Sequence, residues 1–576
     1  MTPVQLLANF CKKHLLWVLA TVLLGLLEAV CNSVGIALIM PAAFGFLGVV
    51  NPNQILSGII SSGLMPPSVV NFLPAFVIGL LLSKIVIATG ANAVKADLTR
   101  QLEMELRVAM LEKFLKVDLS LVRTMPPGDV LHRIGYSVTV SVAAFGFLLE
   151  CIRLTLGALM LFAILLYCSW SLTLLAGLLV LFLTLALLLT SKRSRELGKY
   201  KTEVARILVV HVKDLVDGIR TVKERGSESF ELRRLVRLFR ISKKVNVVSQ
   251  THILITDSVC EFVALAILFG ALIALRWTVL LIYLPVMLRL LTILNRLGNA
   301  YTSLTNSYPE FSSIADFFNQ TDKKQLTGGM QRLETLKNGI ELEDIKFAHG
   351  QLKSPLFDGL SLRIEKGTTF AIVGISGVGK TTLCDLLLRF YDPDCGRILL
   401  DGIDLKEFDL DSLRKKIAII SQDNYLFARS VKSNIMLGAH GVSSERFNEA
   451  IRTAGLKDVV QRLPHGVNTL MGARGSFLSL GERQRIAIAR AIIIQPEILI
   501  LDEATGAVDP LLDRQIHSAL KQMGPDCTRI IISHRPSTIR QAQVIALLSK
   551  GQVTEVGSHD ELMSMQGEYA QLYGDD

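Results

Sequence analysis

Apolar residues crowd the first three hundred positions in six long runs, at roughly 15–50, 69–93, 140–170, 172–190, 253–275 and 278–304. A helix that crosses a membrane needs about 20 mainly apolar residues, so each run is long enough to cross once. The stretches between them alternate in character. Residues 51–68 hold no Lys or Arg, residues 169–171 hold none, and the turn between the last two runs has only Arg276. Residues 94–139 and 191–252 are long, polar, basic and helical in composition. Basic loops stay on the cytoplasmic side, which puts both chain termini in the cytoplasm. Loops of that length are seldom bare connectors. They are expected to continue the spanning helices as stalks that turn back near 117–121 and 217–221.

Beyond about residue 305 the runs shorten and the pattern becomes that of a soluble α/β domain. A polar segment with a Gly pair, residues 320–338, reads as a linker. The expected organisation is an all-α, six-helix transmembrane domain with long cytoplasmic helical extensions over 1–319, the linker, and an α/β domain over 339–576. The bulk figures agree. The chain has 576 residues, 50% of them hydrophobic, too many for one domain. The net charge of +10, from 61 basic and 51 acidic residues, is explained by the basic inside loops. No basic segment is interleaved with aromatic stacking residues, so no nucleic-acid partner is expected. Eight cysteines occur singly without metal spacing and read as core residues rather than a disulfide framework. The first apolar run is too long for a signal-peptide core and lacks a small-residue cleavage site, so it reads as a retained helix.

Two stretches of the second half carry chemistry. An apolar strand at Thr369–Val373 runs into Gly374-x-x-x-x-Gly379-Lys380-Thr381 and then a helix over 382–390. This is a phosphate-binding loop in strand–loop–helix context. Gly374, Ser376, Gly377 and Gly379 let backbone amides face phosphates, and the helix N-terminus adds positive character. Lys380 and Thr382 complete the cradle, and Thr381 serves both phosphate and Mg²⁺. The second stretch is Ile498-Leu499-Ile500-Leu501 ending in Asp502-Glu503. A buried parallel strand would deliver these acids to its C-terminal edge, with Asp502 in the Mg²⁺ shell and Glu503 polarising a water.

In motif content and order, over nearly its whole length, the chain resembles exporters of the ATP-binding cassette family that fuse six helices to one cassette. The resemblance implies ATP and Mg²⁺ as ligands and further site residues. Gln422 corresponds to a catalytic and Mg²⁺-sensing glutamine, Asp509 to a loop at the cassette dimer interface, and His534 to a histidine on the γ-phosphate. His349 falls where an aromatic residue stacks on adenine. Residues 478–482 read LSLGE where the family usually has LSGGQ. Ser479 and Gly481, the two phosphate-contacting positions, are kept. Leu480 and Glu482 depart from the pattern, and Glu482 suits a helix N-terminus while adding negative charge near phosphate. Ala473 stands where relatives often carry Glu.

Family sites need two cassettes face to face, so the resemblance implies a homodimer, with pairing to a different half-transporter as the alternative. It further implies an integral, multi-pass protein of a bilayer such as the bacterial inner membrane. Ionisable residues inside apolar runs mark functional cavities by default. Glu28, Glu150, Arg153, Glu261 and Arg289 are the cavity candidates, alongside Lys84, Asp257 and Arg296. Apolar walls with a few charges suit an amphipathic cargo, with a lipid, glycolipid or lipid-linked sugar favoured. An exporter of peptides or hydrophobic drugs, and an ATP-gated channel or regulator, fit the same motifs.

Overall fold

The computed structural model describes residues 3–46, 73–168, 170–274, 277–349, 355–421, 424–439, 441–472, 475, 477–503 and 526–574. The chain divides into two compact units, residues 1–117 with 121–325, and residues 118–120 with 326–576.

The first unit is helical. A short amphipathic helix α1 (Pro3–Lys13) precedes α2 (Leu15–Phe46), α3 (Leu73–Leu115), α4 (Val138–Cys168), α5 (Trp170–Asp217), α6 (Glu228–Ala274) and α7 (Trp277–Lys323). At 1.5 Å per residue α5, α6 and α7 are each about 70 Å long, more than twice the hydrocarbon thickness of a bilayer. The apolar runs thus continue into polar helix, and α3 and α5 end beside the two expected turns. Among the described residues, Ile78–Leu115 and Pro127–Leu166 are long and apolar enough to cross a membrane, and Leu15–Cys31 is a shorter apolar helix. Large apolar side chains such as Leu16, Ile85, Val86, Leu159 and Phe262 face outwards, an arrangement suited to hydrocarbon and costly in water. The remaining apolar faces pack on one another. Phe145, Leu149, Ile314 and Phe317 anchor one core, and Leu161, Leu165, Val286 and Met287 another.

Five residues, Arg133–Ser137, wind as a π-helical turn at the start of α4. There the Ser137 hydroxyl donates to Glu310 Oε2 at 2.6 Å and lies 3.4 Å from His132 Nδ1, with all three side chains buried.

The second unit is an α/β domain with two sheets. The central one has the order β10-β9-β3-β8-β7-β6, built from β3 (Thr369–Val373), β6 (Ile417–Ile420), β7 (Ile498–Asp502), β8 (Thr528–Ile532), β9 (Val544–Ser549) and β10 (Gln552–Gly557). Strands β6, β7, β8, β3 and β9 are parallel, and only β10 runs against them. The parallel strands are near-continuous apolar runs because helices cover both faces. A second, antiparallel sheet has the order β2-β1-β4-β5, from β1 (Gly339–Phe347), β2 (Phe357–Glu365), β4 (Cys395–Leu400) and β5 (Ile403–Asp404). Its β2 alternates buried and exposed residues, as a half-covered strand must. One core lies between the two sheets around Phe357, Phe370 and Tyr391. Another lies where helix α9 (Ser444–Thr453) and helix α10 (Leu480–Ile493) cover the β6–β7 edge. Cys384 and Cys527 are buried as expected of core thiols, whereas Cys395 is exposed at the start of β4.

Candidate functional site

Strand β3 delivers the chain into the phosphate-binding loop, and helix α8 (Lys380–Leu387) begins at the lysine itself. It starts two residues before the expected 382 and stops three before 390. Gly379 has φ of +107°, and a Cβ there would meet the Phe357 ring at 2.8 Å. Gly374 has φ of +150°, and a Cβ would strike the Leu548 carbonyl at 2.3 Å. Both positions therefore need glycine for conformation and for space. Lys380 Nζ donates to the carbonyls of Gly374 at 2.8 Å and Ile375 at 3.0 Å, so the amine curls over the loop it serves. Ser376 and Gly377 lie at the exposed tip of that loop.

Strand β7 places Asp502 and Glu503 at the C-terminal edge of the parallel sheet, beside the loop. The Thr381 hydroxyl lies beside the Asp502 carboxylate. Two hard oxygen donors thus sit side by side, the donor type Mg²⁺ prefers. Burial pushes the Asp502 carboxyl above its usual range; the Thr381 hydroxyl opposes the rise and the Glu503 charge adds to it. Burial lowers Lys380, against the pull of Glu503 and Asp502.

Glu503 sits in left-handed backbone with φ of +48°, a conformation that costs a non-glycine residue about 1–2 kcal/mol. Its amide is held by the Ile532 carbonyl at 2.9 Å. His534 follows strand β8, and its Nε2 lies 3.0 Å from Glu503 Oε1. A lysine, a hydroxyl–carboxylate pair and an imidazole-oriented carboxylate converge on one sheet edge. That arrangement can hold a polyphosphate and activate water against it.

His349 follows β1. Its Nε2 is 3.0 Å from Thr382 Oγ1, and its ring stands edge-on to Phe347 and Tyr391 at 5.0 and 5.5 Å. Ser479 caps α10. Its hydroxyl accepts from the Glu482 amide at 3.3 Å while Glu482 Oε2 accepts from the Ser479 amide at 2.9 Å, a reciprocal capping box. Gly481 lies in the first turn of that helix. Gln422, Ala473 and Asp509 lie outside the described residues.

In the helical unit, Glu28 (α2), Glu150 and Arg153 (α4) come together with Lys95 (α3). Arg153 Nη1 donates to Glu28 Oε2 at 2.8 Å and Nη2 to Glu150, while Lys95 Nζ reaches Glu150 Oε2 at 3.1 Å. Gly25 makes room, because a Cβ there would meet Arg153 Cγ at 2.8 Å. Arg289 of α7 and Lys84 of α3 lie within electrostatic reach of Glu28, and Arg289 Nε is buried without a hydrogen-bond partner. The side chains of Glu261 and Asp257 lie outside the described residues. Sequence reasoning missed Lys95, the Arg462 partner of Glu482, and the capping box, although the Ser-x-x-Glu spacing at 479–482 signalled the last.

A nucleotide-type P-loop site joined to a membrane-suited helical unit defines a membrane-attached ATPase. Residues 357–506 match the family described as ABC transporter, and residues 18–297 match the ABC transporter transmembrane region. The chain is 34% identical over 523 residues to the ATP-dependent lipid A-core flippase of Thiobacillus denitrificans, covering 88% of this chain and 89% of that protein. It is 32% identical over 412 residues to the heterocyst differentiation ATP-binding protein HepA of a Nostoc species, covering 70% and 68%. An ATP-bound bacterial Atm1-family ABC exporter shares the fold over 98% of both chains, with a TM-score of 0.83 at 24% identity. The chain belongs to the ABC transporter family. It is a multi-pass membrane protein that couples ATP hydrolysis to transport.

Proposed function

We propose that this protein is a homodimeric flippase or exporter of an amphipathic, lipid-type substrate in the bacterial inner membrane. The six long helices α2 to α7 each cross the bilayer, and both termini and the ATPase unit lie in the cytoplasm. The transmembrane domain covers 1–319, the linker 320–338 and the nucleotide-binding domain 339–576. In that domain Lys380, the amides of the 374–379 loop, Thr381 and Thr382 hold the phosphates of ATP, and His349 contacts the adenine. Thr381, Asp502 and Gln422 hold Mg²⁺, which when bound neutralises phosphate charge. Glu503 polarises the attacking water, with His534 orienting it and touching the γ-phosphate. Gln422 senses the nucleotide. Ser479, Gly481 and Asp509 act across the dimer, where a second copy completes each site.

The observation that carries the reading is the Glu503–His534 pair at 3.0 Å on the same sheet edge as the phosphate loop. The lipid preference is supported by the names of the relatives, which include several lipid A-core flippases, and by the charged network among apolar helices. The test is ATPase stimulation and ATP-dependent flipping in proteoliposomes, across lipids, lipid-linked sugars, peptides and dyes. Stimulation by the lipid-type members is expected. Selective stimulation by peptides or dyes would overturn the cargo class, and nucleotide-gated conductance without net transport would overturn the transporter reading.

A further inference from the structure

Arg462 closes the short helix Lys457–Arg462, and its guanidinium Nη2 donates to Oε1 of Glu482, twenty positions on. The other carboxylate oxygen of Glu482 accepts from the Ser479 amide at 2.9 Å, so both oxygens are engaged. The Ser479 oxygen in turn accepts from the Glu482 amide at 3.3 Å, which leaves its hydroxyl proton available for donation. The Glu482 side chain is only 12% exposed, whereas Arg462 is 68% exposed. The pair is thus a half-buried anion held by a cation reaching in from the surface.

The arrangement bears on chemistry at the start of α10. A helix N-terminus attracts anions, and an ionised Glu in its first turn uses that same positive end. Left uncompensated, the carboxylate would repel a phosphate approaching Ser479 and Gly481. A cation in hydrogen-bond contact removes most of that repulsion at short range.

We propose that Arg462 is a positioning residue for the ATPase reaction: it ties back and neutralises Glu482, so that Ser479 and Gly481 meet the phosphate of ATP without an uncompensated negative charge beside them. The inference rests on the reading above, in which these two residues face ATP held by the second copy. It also explains why Glu is compatible with this position: the carboxylate completes the cap, and its charge is cancelled from a neighbouring helix.

The test is a mutant cycle on the full-length protein in lipid nanodiscs, with KM for ATP and kcat measured separately. Arg462→Ala is expected to raise KM about three- to tenfold with kcat changed less than about twofold. Arg462→Lys restores KM, and raising salt narrows the Arg462→Ala defect. In a Glu482→Gln background, the same Arg462→Ala change shifts KM less than about twofold. An equal KM rise in both backgrounds, or none in either, overturns the inference. Its failure is separable from failure of the functional reading, because Glu503→Gln is measured alongside. Loss of turnover in that variant with no Arg462–Glu482 coupling sinks only the positioning role.

Discussion

Lys380, Thr381, Asp502 and Glu503 sit where strands end and a helix begins, and the backbone aims each of them. Glu28, Lys95, Glu150 and Arg153 sit mid-helix on three different helices, and side chains alone hold them to one another. The first arrangement takes its positions from strand ends and a helix start, and the contact of His534 with Glu503 only refines it. The second exists only as a set, and losing one member strands the others. A site whose parts are fixed separately suits a reaction that must be ready before its substrate arrives. A site whose parts hold each other suits an element that rearranges during transport.

The largest expected effect breaks the first half of this contrast. Glu503→Gln keeps the shape and removes the charge, so phosphate release in proteoliposomes should fall at least about a hundredfold with the fold intact. Turnover within a few-fold of the native protein would remove Glu503 from its catalytic role. The second half is sharpened by Arg153→Ala, which leaves Glu28 and Glu150 facing each other without their shared cation. Breaking such a pair from one side costs about 3–5 kcal/mol, and the partial exposure of this network puts the expected loss near about 3. It reads out as a lowered melting temperature in detergent. Adding Glu28→Gln should recover part of that loss, since Glu28 is the acid left without a cation while Glu150 keeps Lys95. Failure to recover would mean that the guanidinium acts mainly by packing.

A smaller effect concerns His132, buried beside Ser137 and Glu310. Burial pushes its pKa below the ordinary value, with Glu310 and Asp129 pulling it up and Arg206 and Arg133 opposing them. The folded protein therefore binds that proton less readily than the unfolded chain. Its contribution to stability is complete above about pH 6.5 and is lost as pH falls towards the lowered folded value. The melting temperature should fall between pH 7.5 and pH 5.5, and His132→Gln should flatten that fall. An unchanged acid slope in the variant would assign the sensitivity to another group.

The contrast also sets what the sequence could reveal. The phosphate loop, the strand ending in Asp502-Glu503 and the helical runs are legible because local spacing dictates local backbone. Strands β3 and β7 lie where apolar runs place them. The left-handed backbone at Glu503 was not legible, and the carbonyl that holds its amide belongs to Ile532, on a different strand. Nor were the Arg153–Glu28 and Lys95–Glu150 pairs, which join residues 125 and 55 positions apart. Arg462 could not be matched to Glu482 for the same reason. The capping box at Ser479 is different: its members are three apart, and the local pattern was there to be read.

The four-residue network of Glu28, Lys95, Glu150 and Arg153 contains two acids and two bases, so its charges cancel. A membrane potential exerts a force in proportion to net charge, about 2.3 kcal/mol per elementary charge for each 100 mV fully crossed. Moved as one body, the network feels almost none of it. The network therefore adds almost no voltage dependence of its own to a movement of α2, α3 and α4 as a unit. Deleting a single member would leave it with a net charge on which the potential acts.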